Sequence, residues 1–142
     1  MKQSILVNIF KISDKAGKKC NVTAFKDVFP KQTNPDKTKN PVIQAFNSGY
    51  RVNKENIDWN TWNGLVFVDI DGKKFFEHSD KDYKALNDNL LLTNIFYDNN
   101  FLAMQESFSH NGSMHFYFYF DVKEKSKHSF DCCAKYAYQK VV

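Results

Sequence analysis

Two carboxylates stand one residue apart at the end of an apolar run, Gly64-Leu65-Val66-Phe67-Val68-Asp69-Ile70-Asp71-Gly72. Side chains alternate across a strand, so Asp69 and Asp71 are expected on one face with Cα atoms about 7 Å apart, while Val68 and Ile70 pack behind them. Like charges on one face repel. A strand running into an Asp/Gly turn also accounts for these residues, but it gives no reason to pair the charges. Two hard oxygen ligands held this way suit Mg²⁺ or Mn²⁺, since Mg²⁺ binds through one or two carboxylates and shares its remaining positions with water and phosphate.

A second segment, Met114-His115-Phe116-Tyr117-Phe118-Tyr119-Phe120-Asp121, alternates almost strictly. It predicts a strand with Phe116, Phe118 and Phe120 on the core face and His115, Tyr117, Tyr119 and Asp121 opposite. Where this strand lies beside the acidic one with their polar faces together, an imidazole joins the two carboxylates. A lone strand histidine is ordinarily structural; here two separate signals converge on one place. Tyr117 and Tyr119 are candidates for stacking on a base or sugar, or simply strand tyrosines favoured for β propensity.

These residues need elements to position them, and 142 residues are enough for a single core. Aromatic residues make up 16% of the chain, which argues for a packed body rather than a disordered one. The formal charge of +4 is compatible with a polyanionic partner without demanding one. No window approaches the length of apolar sequence that a membrane span needs, and the N-terminus does not read as a secretory signal, so a soluble, cytoplasmic protein without a membrane partner is expected. Cys20, Cys132 and Cys133 have no metal-type spacing and read as reduced and structural.

Along the chain, residues 4–12 read as a strand with Ile5, Val7 and Ile9 on one face, followed by a turn at Gly17. A short helix is expected from Val22 to Phe29, stopped at Pro30, then a polar loop over 31–40 and a second short helix from Pro41 to Phe46, ended by Ser48-Gly49. Trp59 and Trp62 precede the acidic strand. After it the pattern predicts a hairpin-like excursion at Phe75-Phe76 and a helix capped by Ser79, with Tyr83, Leu86 and Leu90 on one stripe. Strands over 101–107 and 113–122, joined by a turn at Ser109-His110-Asn111-Gly112, lead to a final helix over 126–138. From residue 64 the order strand, helix, strand, strand, helix is the split βαβ pattern without its last strand. The fold class expected is therefore α+β, an RRM-like (βαββαβ-type) unit over 51–142 with an N-terminal α/β extension over 1–50. In that topology the first and third strands are neighbours.

The run Val66-Phe67-Val68-Asp69-Ile70-Asp71, followed by Ser107-Phe108-Ser109-His110-Asn111-Gly112-Ser113-Met114-His115-Phe116, resembles the first two motifs of archaeo-eukaryotic primases and primase-polymerases. More narrowly it looks like the primase-like domain, related to the VirE N-terminal family, of Bacteroidetes phages and mobile elements. The opening strand Ser4-Ile5-Leu6-Val7-Asn8-Ile9-Phe10 suits the same group. The resemblance implies metal-dependent nucleotidyl transfer in primer synthesis or DNA replication. Asp69 and Asp71 become metal ligands for Mg²⁺ or Mn²⁺, and His115 a phosphate contact aided by Ser107, Ser109 and Gly112. Single-stranded DNA template and nucleoside triphosphates are the implied partners, with a helicase or further domains where the chain is a fragment of a longer replication protein. The family's third acidic motif is expected beyond Val142; Asp121 on the face of His115 is a substitute and Asp131 a poorer one. Lys73, Lys74, Lys123, Lys125 and Lys127 either line a template path or keep the surface soluble.

Two other readings fit the same residues. The acidic run also looks like the nucleophile motif of haloacid-dehalogenase-type phosphatases, with Leu90-Leu91-Leu92-Thr93 as their second motif, although Lys73 replaces the usual threonine and no later paired acids follow. A non-catalytic module binding single strands or a replication partner on its open sheet is the third.

Overall fold

A computed structural model describes residues 5–29, 36–70, 95, 97–106 and 114–141. The chain is α+β, and its described strands form two three-stranded antiparallel sheets. Contacts divide it into two units, Met1–Gly64 with Val122–Lys127, and Leu65–Asp121 with His128–Val142.

In the first unit, β1 (Leu6–Phe10) lies between β2 (Asn21–Ala24) and β3 (Val42–Gln44). Both of its edges are therefore paired within this sheet, Val7 opposite Thr23 on one side and Ile9 opposite Ile43 on the other. Two expected helices are corrected here. The sequence predicts one helix from Val22 to Phe29, but the first half is β2 and only α1 (Phe25–Val28) is helical. The segment from Pro41 to Phe46, also predicted helical, contains β3 instead. Both contain β-branched residues of weak helix propensity, Val22 and Thr23 in one, Val42 and Ile43 in the other, and the unpaired edges of β1 decide their state. Pro41 precedes β3, where its missing N–H costs no ladder bond.

Asn8 is a buried polar residue at the middle of β1, 0% exposed. Its amide donates to Ser48 Oγ at 3.1 Å and to the Tyr50 carbonyl at 2.9 Å, and its Oδ1 accepts from the Gly49 N–H at 2.9 Å. Gly49 has φ of +79°, a conformation that glycine adopts without penalty, and so presents its N–H to the strand. Gln44 does similar work through both ends of its amide, which bracket the backbone N–H and carbonyl of Val52. Arg51 donates to the carbonyls of Ile12 and Asp14 and lies over the Phe10 ring at 4.7 Å. The loop after β3 is thus fastened by side chains together with backbone bonds of Gly49 and Arg51 to the 17–20 segment, where Lys19 and Tyr50 form a bridge.

In the second unit the order is β4 (Leu65–Ile70), β6 (Met114–Tyr119), β5 (Phe101–Glu106), so the first and third strands are neighbours, as expected. Val66, Val68, Phe116 and Phe118 are buried on one face, each burial stabilising by about 1.5–3 kcal/mol. Helix α2 (Lys127–Val141) buries Ala137 and Val141. Its Tyr136 packs edge-on against Phe120 at 5.7 Å and donates its hydroxyl to Asp98. Burial pushes the Asp98 carboxyl up, but the Tyr136 hydroxyl, the Asn100 N–H and Lys140 at 3.6 Å outweigh it and hold it below the usual carboxylate range. The predicted excursion at Phe75-Phe76, the helix from Ser79, the 31–35 part of the polar loop and the Ser109–Gly112 turn lie outside the described residues.

Two stability measurements check this reading. Asn8→Ala leaves the Gly49 N–H without its partner and removes one of the two donors to the Tyr50 carbonyl, which also accepts from Ser48 Oγ at 3.0 Å, and is expected to cost about 1–3 kcal/mol in urea unfolding. Asp98 contributes stability that is fully present above its unfolded pKa and lost as the pH falls through its lowered folded value. Asp98→Asn is therefore expected to destabilise at neutral pH by about 1–3 kcal/mol and to flatten the acid limb of the stability–pH curve.

Candidate active site

The acidic strand forms because Leu65, Val66, Phe67, Val68 and Ile70 are β-branched or bulky apolar residues, and its register on β6 follows from burying one alternate set. Leu65 pairs with Tyr119, Phe67 with Tyr117, and Asp69 with His115. His115 Nε2 lies 3.5 Å from Asp69 Oδ1. The Asp69 side chain is 73% exposed and that of His115 33%, so the pair sits at an open surface. An exposed ion pair of this kind contributes at most about 1 kcal/mol. Stability therefore does not explain why an acid and an imidazole face each other here.

On the far side of His115, Gln105 of β5 pairs with it across the ladder. Gln105 accepts at Oε1 a 3.1 Å hydrogen bond from the Tyr117 hydroxyl. Tyr117 is only 6% exposed, and its ring meets Phe67 edge-on at 5.2 Å. Burial, with the Asp69 charge adding to it, pushes the Tyr117 hydroxyl up to about 12. This corrects the expectation that Tyr117 is offered to a base or sugar, because its hydroxyl and ring are spent inside the sheet. Tyr119 is half-buried. Phe67 is the ring left outward on β4, 37% exposed. Neither Phe67 nor Gln105 figured among the expected site residues. Both were legible in principle, Phe67 by its two-residue step from Asp69, Gln105 only once β5 was set beside β6.

Of the expected site residues, the structure brings Asp69 and His115 together; Asp71, Ser107, Ser109 and Gly112 lie outside the described residues. Asp121 is exposed just past the end of β6, and Asp131 is on α2. Lys123 and Lys125 belong to the Val122–Lys127 segment, which groups with the first unit. Among the described residues no group of three His, Cys, Asp or Glu is placed to hold a metal ion, and no helix is long and apolar enough to cross a membrane. What the arrangement offers is a solvent-facing carboxylate beside an imidazole, able to face a cation and an anion at once.

Compared with protein-family models, curated proteins and solved structures, the chain matches none of them.

The enclosure of Tyr117 has a measurable consequence. A folded-state value raised to about 12 from the ordinary 10.0 contributes stability that is present below the unfolded value and lost as the pH rises through the folded one. Unfolding free energy is expected to fall across this alkaline window, and Tyr117→Phe to remove that part of the slope while costing about 1 kcal/mol at neutral pH.

Proposed function

We propose that the face carrying Asp69 and His115 serves divalent-metal-dependent nucleotidyl transfer on a single-stranded template, as a primase-polymerase-type domain or a fragment of one. The observation that carries this reading is the register that sets Asp69 opposite His115 with 3.5 Å between Oδ1 and Nε2. The strand order β4-β6-β5, with the first and third strands adjacent, supports an RRM-like arrangement. The primase resemblance pairs the same acid with the same histidine.

The donor set fits a hard cation. Asp69 is solvent-facing, and its Oδ2 has no hydrogen-bond partner among the described residues. Asp69 and Asp71 would hold Mg²⁺ or Mn²⁺, and the ion would supply charge neutralisation for phosphoryl transfer. His115 orients the triphosphate and, when protonated, adds charge stabilisation. The primase resemblance assigns further phosphate contacts to Ser107, Ser109 and Gly112. The exposed ring of Phe67 provides an apolar surface on which a base or sugar can rest.

Incorporation of a radiolabelled nucleoside triphosphate on a single-stranded template, titrated with Mg²⁺ and Mn²⁺, is the test. Asp69→Ala and Asp71→Ala are expected to fall to background, and His115→Ala to lose about 100-fold. Incorporation that survives Asp69→Ala overturns the proposal. Turnover of p-nitrophenyl phosphate dependent on Asp69 assigns the phosphatase reading instead, and oligonucleotide binding without incorporation under either metal assigns the non-catalytic one.

A further inference from the structure

The excess of positive charge is confined to one part of the chain. Residues 1–64 hold eleven Lys and Arg against five Asp and Glu, whereas residues 65–142 hold nine against eleven. Such asymmetry between halves points to a polyanionic partner for the basic half. In the structure part of this charge is gathered into a concavity. A cleft of about 590 Å³ in the first unit is lined by Lys11, Lys18, Lys19 and Lys39, with Asp14 among them. Asp14 is paired with Lys18 at 3.4 Å. Lys11, Lys19 and Lys39 form no ion pair with any described residue and are exposed.

We infer that this cleft binds the phosphodiester backbone of single-stranded nucleic acid. The inference stands on the first unit alone and does not depend on the chemistry proposed for Asp69 and His115. Three features select that ligand. The charge is supplied by several separate lysines, each a point charge able to meet a different phosphate of one chain. The chain's only arginine, Arg51, is committed to the Ile12 and Asp14 carbonyls and to the Phe10 ring. Amide side chains (Asn21 and Asn40) and apolar groups (Ile9 and Pro41) line the cleft beside the lysines, which suits the sugars and bases between phosphates.

Cys20 lines the same cleft, whereas Cys132 is exposed on α2 in the other unit. The pair allows the site to be located as well as the affinity measured. The full-length chain is titrated into a fluorescein-labelled oligothymidylate over a range of salt concentrations, with alkylation of Cys20 and Cys132 followed by mass spectrometry with and without unlabelled oligonucleotide. The triple variant Lys11→Gln/Lys19→Gln/Lys39→Gln is compared with Lys26→Gln/Lys54→Gln/Lys135→Gln, which removes equal charge from exposed positions outside the cleft.

The cleft variant is expected to bind about tenfold or more weakly at low salt, with the slope of log K against log salt reduced by about 2. The control is expected to stay within about threefold, and the oligonucleotide to protect Cys20 but not Cys132. Equal losses in the two variants, an unprotected Cys20, or no binding by the unaltered chain at low salt overturns the inference. Protection of Cys20 by vesicles of acidic phospholipid but not by the oligonucleotide overturns it in favour of a membrane surface.

Discussion

The ladder between residues 65–70 and 114–119 is the constraint on which the second unit depends. Side-chain direction has a period of two, so slipping β4 by one residue against β6 turns Asp69 to the face that Val66 and Val68 now fill and carries those two valines to the opposite face. The cost of that slip is several buried apolar side chains at about 1.5–3 kcal/mol each. Hydrophobic burial on one face thereby fixes polar geometry on the other. The 3.5 Å approach of the carboxylate to the imidazole is a by-product of where Val66, Val68, Phe116 and Phe118 must go.

The two units solve the problem of specifying one arrangement by different means. Around β1 the specification is polar: Asn8 is enclosed and satisfied by three hydrogen bonds to the 48–50 loop, and Gln44 clasps Val52. A buried amide tolerates few alternatives, because any register that leaves it unpaired is penalised. Around β6 the specification is aromatic and electrostatic. Tyr117 is held between Phe67 and Gln105, and Asp98 is gripped by Tyr136 and Lys140 where α2 packs.

Much of the second unit was legible in the sequence because its strands alternate. The acidic strand, the His115 strand, their adjacency and the last helix all follow from period and from the split βαβ order, with boundaries displaced by a few residues. In the first unit alternation is short and the deciding interactions are non-local. Val22-Thr23 and Val42-Ile43 became strands because β1 had two open edges, and nothing within those segments announces a partner elsewhere in the chain. Asn8 carried no signal of burial either, since its partners lie forty residues away. At the site, Asp69 and His115 were readable from alternation, while the enclosure of Tyr117 depends on Gln105 from a third strand.

The central claim is that Asp69 and His115 form one cation-binding face. Mn²⁺ titrated substoichiometrically into the chain while the histidine ring protons are followed by NMR tests it directly, because paramagnetic broadening reports which ring lies beside the ion. His115 is expected to broaden before His128, and Asp69→Asn to abolish the effect. Broadening that spares His115, or that persists unchanged in Asp69→Asn, contradicts it.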